Sequence, residues 1–429
     1  MATALKLRRG TTAQHSAFTG ELAEVTVDTD KDTVVVHDGS TAGGFPLAKA
    51  NGSAINPTSV GATTAGTGAF TTLSMNGGAL SPQTGFKNRI INGAMTIDQR
   101  NAGAAINSAS GAGNYAVDRF AYNASQTGKV NLQQTTANIA QTNGFGYCLA
   151  VTSTSAYSVT STDYFFVEQR IEGSNIADIG WGTSASKAVA MSFVVYSSLT
   201  GTFGGSLIVG SGSYPFSYSV PVANTWTQIS VSVPANTTYT PTSLTNGTGV
   251  RVMFGLGSGS TLTAAAGSWQ SGTFVQPTGS VSVVGTSGAT FYITGVQLEK
   301  GTAATPFEFR SIGTELGLCQ RYAFVTDQST GIAGFVTIQN SQVSQRLSFP
   351  VQMRADPTAS IATAGKWTVS DDRLADYEAA TFTIIGITSS TQMARVIIGG
   401  FTSTPAAGTT LGSMPYGGSN GKILFSSEL

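Results

Sequence analysis

The chain has 429 residues, with 22 Lys or Arg, 22 Asp or Glu, 52 Gly and a formal net charge of zero. Charged residues make up 10%, against about 25% in an average soluble domain, so there is no basic field for nucleic acid or an anionic membrane surface. Cys148 and Cys319 are the only cysteines, which excludes a disulfide scaffold, and no apolar run approaches the roughly 18 residues that span a bilayer.

The two cysteines read as reduced, partly buried thiols. MATALKLRRG at the N-terminus has no apolar core of signal-peptide length, so export by that route is not expected. Gly, Ser, Thr, Ala and Val stand where charges are missing. That mixture suits short strands and tight turns and supplies few helix formers.

Residues 1–48 read as a compact head. Two strands are predicted, Ala23–Asp28 and Thr33–His37, joined through DTDKD as a hairpin. Thr11 or Thr12 caps one short helical turn ending near Ser16. Asp28, Asp30 and Asp32 have the spacing that opens a calcium loop, but the Gly and distal Glu of such a loop are missing. The triplet therefore reads as a solvated turn, and no metal is expected.

Residues 49–85 are nearly uncharged, and from Gly52 their larger apolar residues come singly: Ile55, Val60, Phe70, Leu73, Met75 and Leu80. One copy cannot bury enough apolar surface to offset the entropy of ordering its backbone. The segment is either a disordered linker or a ribbon sharing a core with identical chains. The lone apolar residues favour the second, an intertwined stalk in a homotrimer.

From residue 86 to 310 short strands recur, with turns every 8–14 residues. They are predicted at Lys129–Thr135, Gly146–Ser153, Tyr164–Ile171, Ala188–Ser197, Phe203–Val209, Phe216–Val220, Thr227–Val233, Val250–Leu256 and Thr290–Glu299. Strands without intervening helical patterns indicate a β-sandwich. Residues 311–429 read as a further β domain, opened by a short helix or connector at Ser311–Tyr322. Its strand-like segments are FVTIQN, SQRLSFPVQM, KWTVSD, ATFTIIGIT, MARVIIGGF and GKILFSSEL.

Two stretches carry family resemblances. LRRGTTAQHSAFTGELAEVTVDTDKDTVVVHDG with GGFPLA resembles the N-terminal module of bacteriophage tail-fibre and tropism-determinant proteins. VGATTAGTGAFTTLSMNG is similar to a recurrent tail-fibre segment. RIINGAMTIDQRNAG, YAVDRF, IADIGWGTSASKAVAMSFVVYSS and GVQLEKGTAATPFEFRSIGTELGLCQRY resemble a domain repeated across phage tail proteins, itself similar to jelly-roll carbohydrate-binding modules. The resemblance implies a virion protein. Its head would attach to an adaptor, nozzle or baseplate protein, with Arg8, Arg9 and His15 as attachment candidates.

Catalytic patterns are scarce. Both histidines, His15 and His37, lie in the head, so a histidine-based triad has no place in the body. HExxH, CxxC and P-loop patterns do not occur. The body carboxylates Asp98, Asp118, Asp163, Glu168, Glu172, Asp178, Glu299 and Glu308 are the remaining route, through a glycosidase pair. Salt bridges and turns are the expected roles of all eight, and the chain is not expected to be an enzyme or to need a cofactor.

Sugar recognition uses an aromatic face with a few polar groups. Of the tryptophans, Trp226 enters a strand and reads as core, as does Trp181 in its GWG turn. Trp269, in a Gly/Ser loop, and Trp367, with Asp371, Asp372, Arg373 and Tyr377, are the candidates for host glycan or other receptor. The expected architecture is mainly β: a small N-terminal β domain, a trimeric stalk, a jelly-roll body and a C-terminal β domain. The expected function is a receptor-binding tail fibre without nucleic-acid binding or membrane insertion, the alternative being a structural tail or collar protein.

Overall fold

Small heads enclose little apolar surface, and this one is built around polar groups. The computed structural model describes residues 6–47, 74–75, 78–79, 86–139, 144–326, 333–339, 341–371, 376–401, 410–412 and 421–429. They fall into two compact units divided after residue 82. In the first, the antiparallel strands Val25–Asp28 and Thr33–Val36 pair Thr26 with Val35, and Arg9–Gly10 and Phe45–Pro46 extend the sheet on either side. Thr26, Asp28, Val35 and His37 are buried while Val25 is exposed. Thr11 caps the helix Thr12–Ser16 in a reciprocal box with Gln14. The Asp28 carboxylate accepts from the Thr12 hydroxyl and from the Asp30 and Lys31 amides, closing the turn by itself.

The expected stalk lies outside the described residues, apart from Ser74–Met75 and Gly78–Ala79, which pair antiparallel.

The second unit contains the sandwich. One sheet runs, in spatial order, Thr227–Val233, Val189–Ser197, Thr290–Lys300, Cys148–Ser153, Val130–Thr135 and Ile106–Asn107. The other runs Gln270–Ser271, Gly212–Val220, Gly201–Val209, Thr248–Ser258, Tyr164–Glu172, Phe120–Ala124 and Gly111–Val117. Alternation turns Val189, Met191, Phe193 and Val195 of the first sheet onto Phe203, Phe216, Tyr218 and Phe254 of the second. The Phe193 and Phe254 rings meet edge to face at 5.0 Å. This is the jelly-roll body; the nine strands predicted for it are all present, and Ile106–Asn107 and Gln270–Ser271 are additional. The hairpin Gly111–Val117 to Phe120–Ala124 was not anticipated; it turns at Asp118–Arg119, with Arg119 at φ 73°. Gly295, at φ 63°, sits where the pairing of Val189–Ser197 with Thr290–Lys300 slips, and the Phe145 ring occupies the space a Cβ would take.

After the helix Ile312–Gln320 come a three-stranded sheet and a closed six-stranded barrel. The sheet joins Ala323–Val325, Lys422–Ser426 and Thr358–Thr363. The barrel order is Ala333–Gln339, Gln342–Ser348, Met393–Phe401, Asp376–Ser389, Trp367–Asp371 and Thr410–Gly412. Val343, Leu347, Phe382, Val396 and Ile398 fill its core. Arginines hold these elements to the sandwich. Arg321 donates twice to the buried Glu172 carboxylate, at 2.6 and 3.0 Å, and the Tyr322 hydroxyl donates at 2.8 Å. Arg119 lies 3.5 Å over the Tyr322 ring and pairs with Glu428. Burial pushes the Tyr322 hydroxyl up to about 12.

Candidate functional site

The outer face of the first sheet carries an aromatic strip. In Val189–Ser197 the odd-numbered residues point into the core, which sends Tyr196 outward; the same alternation in Thr290–Lys300 sends Tyr292 out. The two are register partners, and their rings stack at 5.3 Å with 16° between planes. Trp226, just before Thr227–Val233, continues the row, with its ring 5.5 Å from Tyr196. All three are half-buried, and the Trp226 indole donates to the Asn138 carbonyl. Thr290, Thr152 and Asn131 form a parallel polar row on neighbouring strands. A line of ring faces beside hydroxyl and amide groups can take the CH face and hydroxyls of a sugar.

The expectation that Trp226 is core is therefore corrected. It falls in phase with the outward Gln228 and Ser230, not with the inward Ile229 and Val233. Trp181 is core as expected, and it donates to the Lys187 carbonyl. Trp269 is half-buried. Its ring packs against the core among Trp181, Tyr214 and Tyr239, and its Nε1 donates to the Pro234 carbonyl at 3.1 Å. Trp367 is buried in the barrel, 5.1 Å from the Phe382 ring. Tyr377 is half-buried beside that core. The backbone of Asp371 ends a barrel strand, while Asp372 and Arg373 lie outside the described residues.

In the head, Arg8, Arg9, His15 and Phe18 border a pocket of about 270 Å³. Arg9 is exposed. Arg8 reaches over the Phe18 ring at 4.8 Å and pairs with Glu24 at 3.0 Å. His15 is not a surface group. Its ring is buried at the wall of that pocket, with both nitrogens engaged by Thr11 and Thr26.

The eight carboxylates of the body are tied into its architecture. Asp178 pairs with Arg89 and Lys300, Glu308 accepts the Lys87 and Asn88 amides, and Glu299 accepts from Thr305. Asp98 closes the turn to Asn101 and Gly103. Burial alone would raise the Asp163 carboxyl, but bonds from Thr160, Ser125 and Tyr157 hold it well below the usual range. Burial raises Asp118 despite the Arg100 guanidinium beside it. Glu168 and Glu172 each lie between arginine side chains or beside one. Tyr196 and Tyr292 were missed by the sequence reading, although alternation in VAMSFVVYS and TFYIT marks both as outward.

Residues 5–41 match the family described as the Major tropism determinant N-terminal domain. The tail fiber receptor-binding protein of Bordetella phage BPP-1 is 56% identical over 81 residues, which cover 17% of this chain; the chain spans 21% of that relative's length. Among solved structures, the Major Tropism Determinant M1 Variant is 71% identical over 10% of this chain and 12% of its own, with a TM-score of 0.10. A structure titled "CBM4 structure and function" is 13% identical, covering 49% of this chain and 98% of its own, with a TM-score of 0.25. The chain thus carries a tropism-determinant-like N-terminal module on a mainly β body.

Proposed function

We propose that the chain is a bacteriophage tail fibre that binds the host receptor. The head attaches it to the tail, residues 49–85 join three copies, and the sandwich and barrel face the host surface. The match of residues 5–41, together with the 56% identity to a tail fiber receptor-binding protein, carries this reading. The protein is a virion component that binds without hydrolysing its receptor. Its ligand is a surface glycan, held along Trp226, Tyr196 and Tyr292. A shallow strip gives weak binding per copy, and three copies on each of several fibres multiply it through effective concentration.

The test is competition. Purified full-length chain, added to host cells before the phage, should coat them and block adsorption. Failure to bind the cells, combined with normal incorporation into virions, would make the chain a structural tail protein instead.

A further inference from the structure

The second sheet carries a cleft of its own, about 300 Å³, between its outer face and the C-terminal residues. Tyr115, Asn123, Glu168, Arg170, Ser426 and Leu429 are in its walls. We infer that this cleft binds a single neutral hexose unit of a host-surface glycan, an inference that rests on the receptor-binding reading above. Its volume is at the lower end of ligand pockets, about 300–1,000 Å³.

The polar groups are fixed before any ligand arrives. The Glu168 side chain is 1% exposed; Asn123 Nδ2 and Arg170 Nε donate to its Oε1 at 3.2 and 2.9 Å, and Arg251 Nε donates to its Oε2 at 2.7 Å. Asn123 and Arg170 fill Oε1, whereas Oε2, with one donor, keeps capacity to accept another hydrogen bond. Asn123 is itself buried and uses only its Nδ2 within the protein, so its Oδ1 has no partner among the described residues. Arg170 spends Nε on Glu168 and Nη1 on the Leu429 carbonyl at 2.8 Å, leaving Nη2 to donate. The Tyr115 and Ser426 hydroxyls likewise have no partner among the described residues.

Fixed acceptors beside fixed donors suit vicinal hydroxyls, each of which gives one hydrogen bond and takes another. Charge argues for a neutral ring. Glu168 is bracketed by Arg170 and Arg251, and Glu428 by Arg100 and Arg119, so the charges of the cleft are already matched within the chain and leave no net charge for an ionic ligand to neutralise. A buried polar site also rejects ligands that leave its groups unpaired.

Saturation-transfer NMR on the full chain carrying Trp226→Ala and Tyr292→Ala, which remove the strip as a second sugar site, tests this, with the methyl glycosides of glucose, galactose and mannose beside glucuronic and galacturonic acid. At least one neutral glycoside should bind, more strongly than either acid. Glu168→Gln should weaken that binding about tenfold or more. Because Glu168 is buried, Ala121→Met is the second variant: it keeps every charged group of the cleft, fills the space from Ala121, a wall residue opposite Glu168 on the neighbouring strand, and should abolish binding. Absence of neutral glycoside binding, preference for the acids, or binding that survives Ala121→Met would overturn the inference. If the chain still blocks adsorption in those cases, only the cleft assignment falls; a chain that cannot block adsorption removes the receptor-binding reading itself.

Discussion

His15 and His37 share one hydroxyl. Thr26 Oγ1 lies 2.8 Å from His15 Nε2 and 2.9 Å from His37 Nε2, between rings stacked 6.2 Å apart. The surroundings fix the protons. The Gly20 amide donates to His37 Nδ1, so His37 Nε2 carries the proton and donates to Thr26. His15 Nδ1 faces the Thr11 carbonyl, which only accepts, so His15 Nε2 receives the Thr26 proton. One proton on each ring satisfies every atom of the chain.

Thr26→Val keeps the shape and removes the hydroxyl, leaving two buried ring nitrogens unpaired. A loss of about 1–3 kcal/mol is expected, confined to the head. Hydrogen exchange on the full chain should show faster exchange at Gly20 and along Val25–Asp28, with the sandwich unaltered. Thr26→Ser should restore protection; equal exchange in all three proteins would refute the relay.

The aromatic strip predicts a separation of binding from stability. Trp226→Ala and Tyr292→Ala remove half-exposed rings, so the unfolding midpoint should change little. Concentrations needed to block phage adsorption should rise about tenfold or more for each, since losing one ring face is worth about 1–2 kcal/mol in such sites. Unchanged blocking by both variants would remove the strip from the receptor surface.

Glu172 predicts an acid-sensitive seam between sandwich and C-terminal sheet. Burial alone would raise its carboxyl, but Arg321 and Tyr322 outweigh burial and hold it below the ordinary 4.5. The unfolded chain therefore takes up the proton first as pH falls. The contribution is fully present at neutral pH, declines once pH passes below 4.5 and is gone below the folded value. Urea midpoints from neutral to about pH 3 should fall, and Glu172→Gln should lower the neutral midpoint while flattening that fall. Parallel pH profiles for the two proteins would contradict this.

Trp367 should behave as core. Trp367→Ala is expected to cost about 3–5 kcal/mol and to expose the barrel to limited proteolysis before the sandwich. Full resistance, accompanied by lost receptor binding, would return Trp367 to the receptor surface.

Thr227–Val233 and Val130–Thr135 were legible because they follow the two-residue period closely, whereas Tyr164–Glu172 and Val189–Ser197, buried at almost every position, were legible as apolar runs between turns. The hairpin at Asp118–Arg119 escaped because Phe120–Ala124 is buried throughout and only five residues long, too short to stand out as an apolar run without alternation. Ligand candidates were harder. A Gly/Ser loop suggested that Trp269 was free, yet three aromatic neighbours distant in sequence pack against it and leave it half-buried. Tyr196 becomes part of a strip only through pairing with Tyr292, across 96 positions of chain that no local pattern connects. His15 looked available because charge is visible in a sequence and the Thr26 hydroxyl opposite it is not.

The barrel begins and ends at one port. Ala323–Val325 leads toward it, Lys422–Ser426 returns alongside, and these two strands are hydrogen-bonded neighbours. Arg354 clasps the Ser427 and Glu428 carbonyls, while Arg170 clasps that of Leu429. As a cassette, the segment between Val325 and Lys422 is not independent of its socket: Arg354 and Thr358–Thr363 lie inside it, so an exchange of the barrel that leaves the sandwich anchored has to keep both.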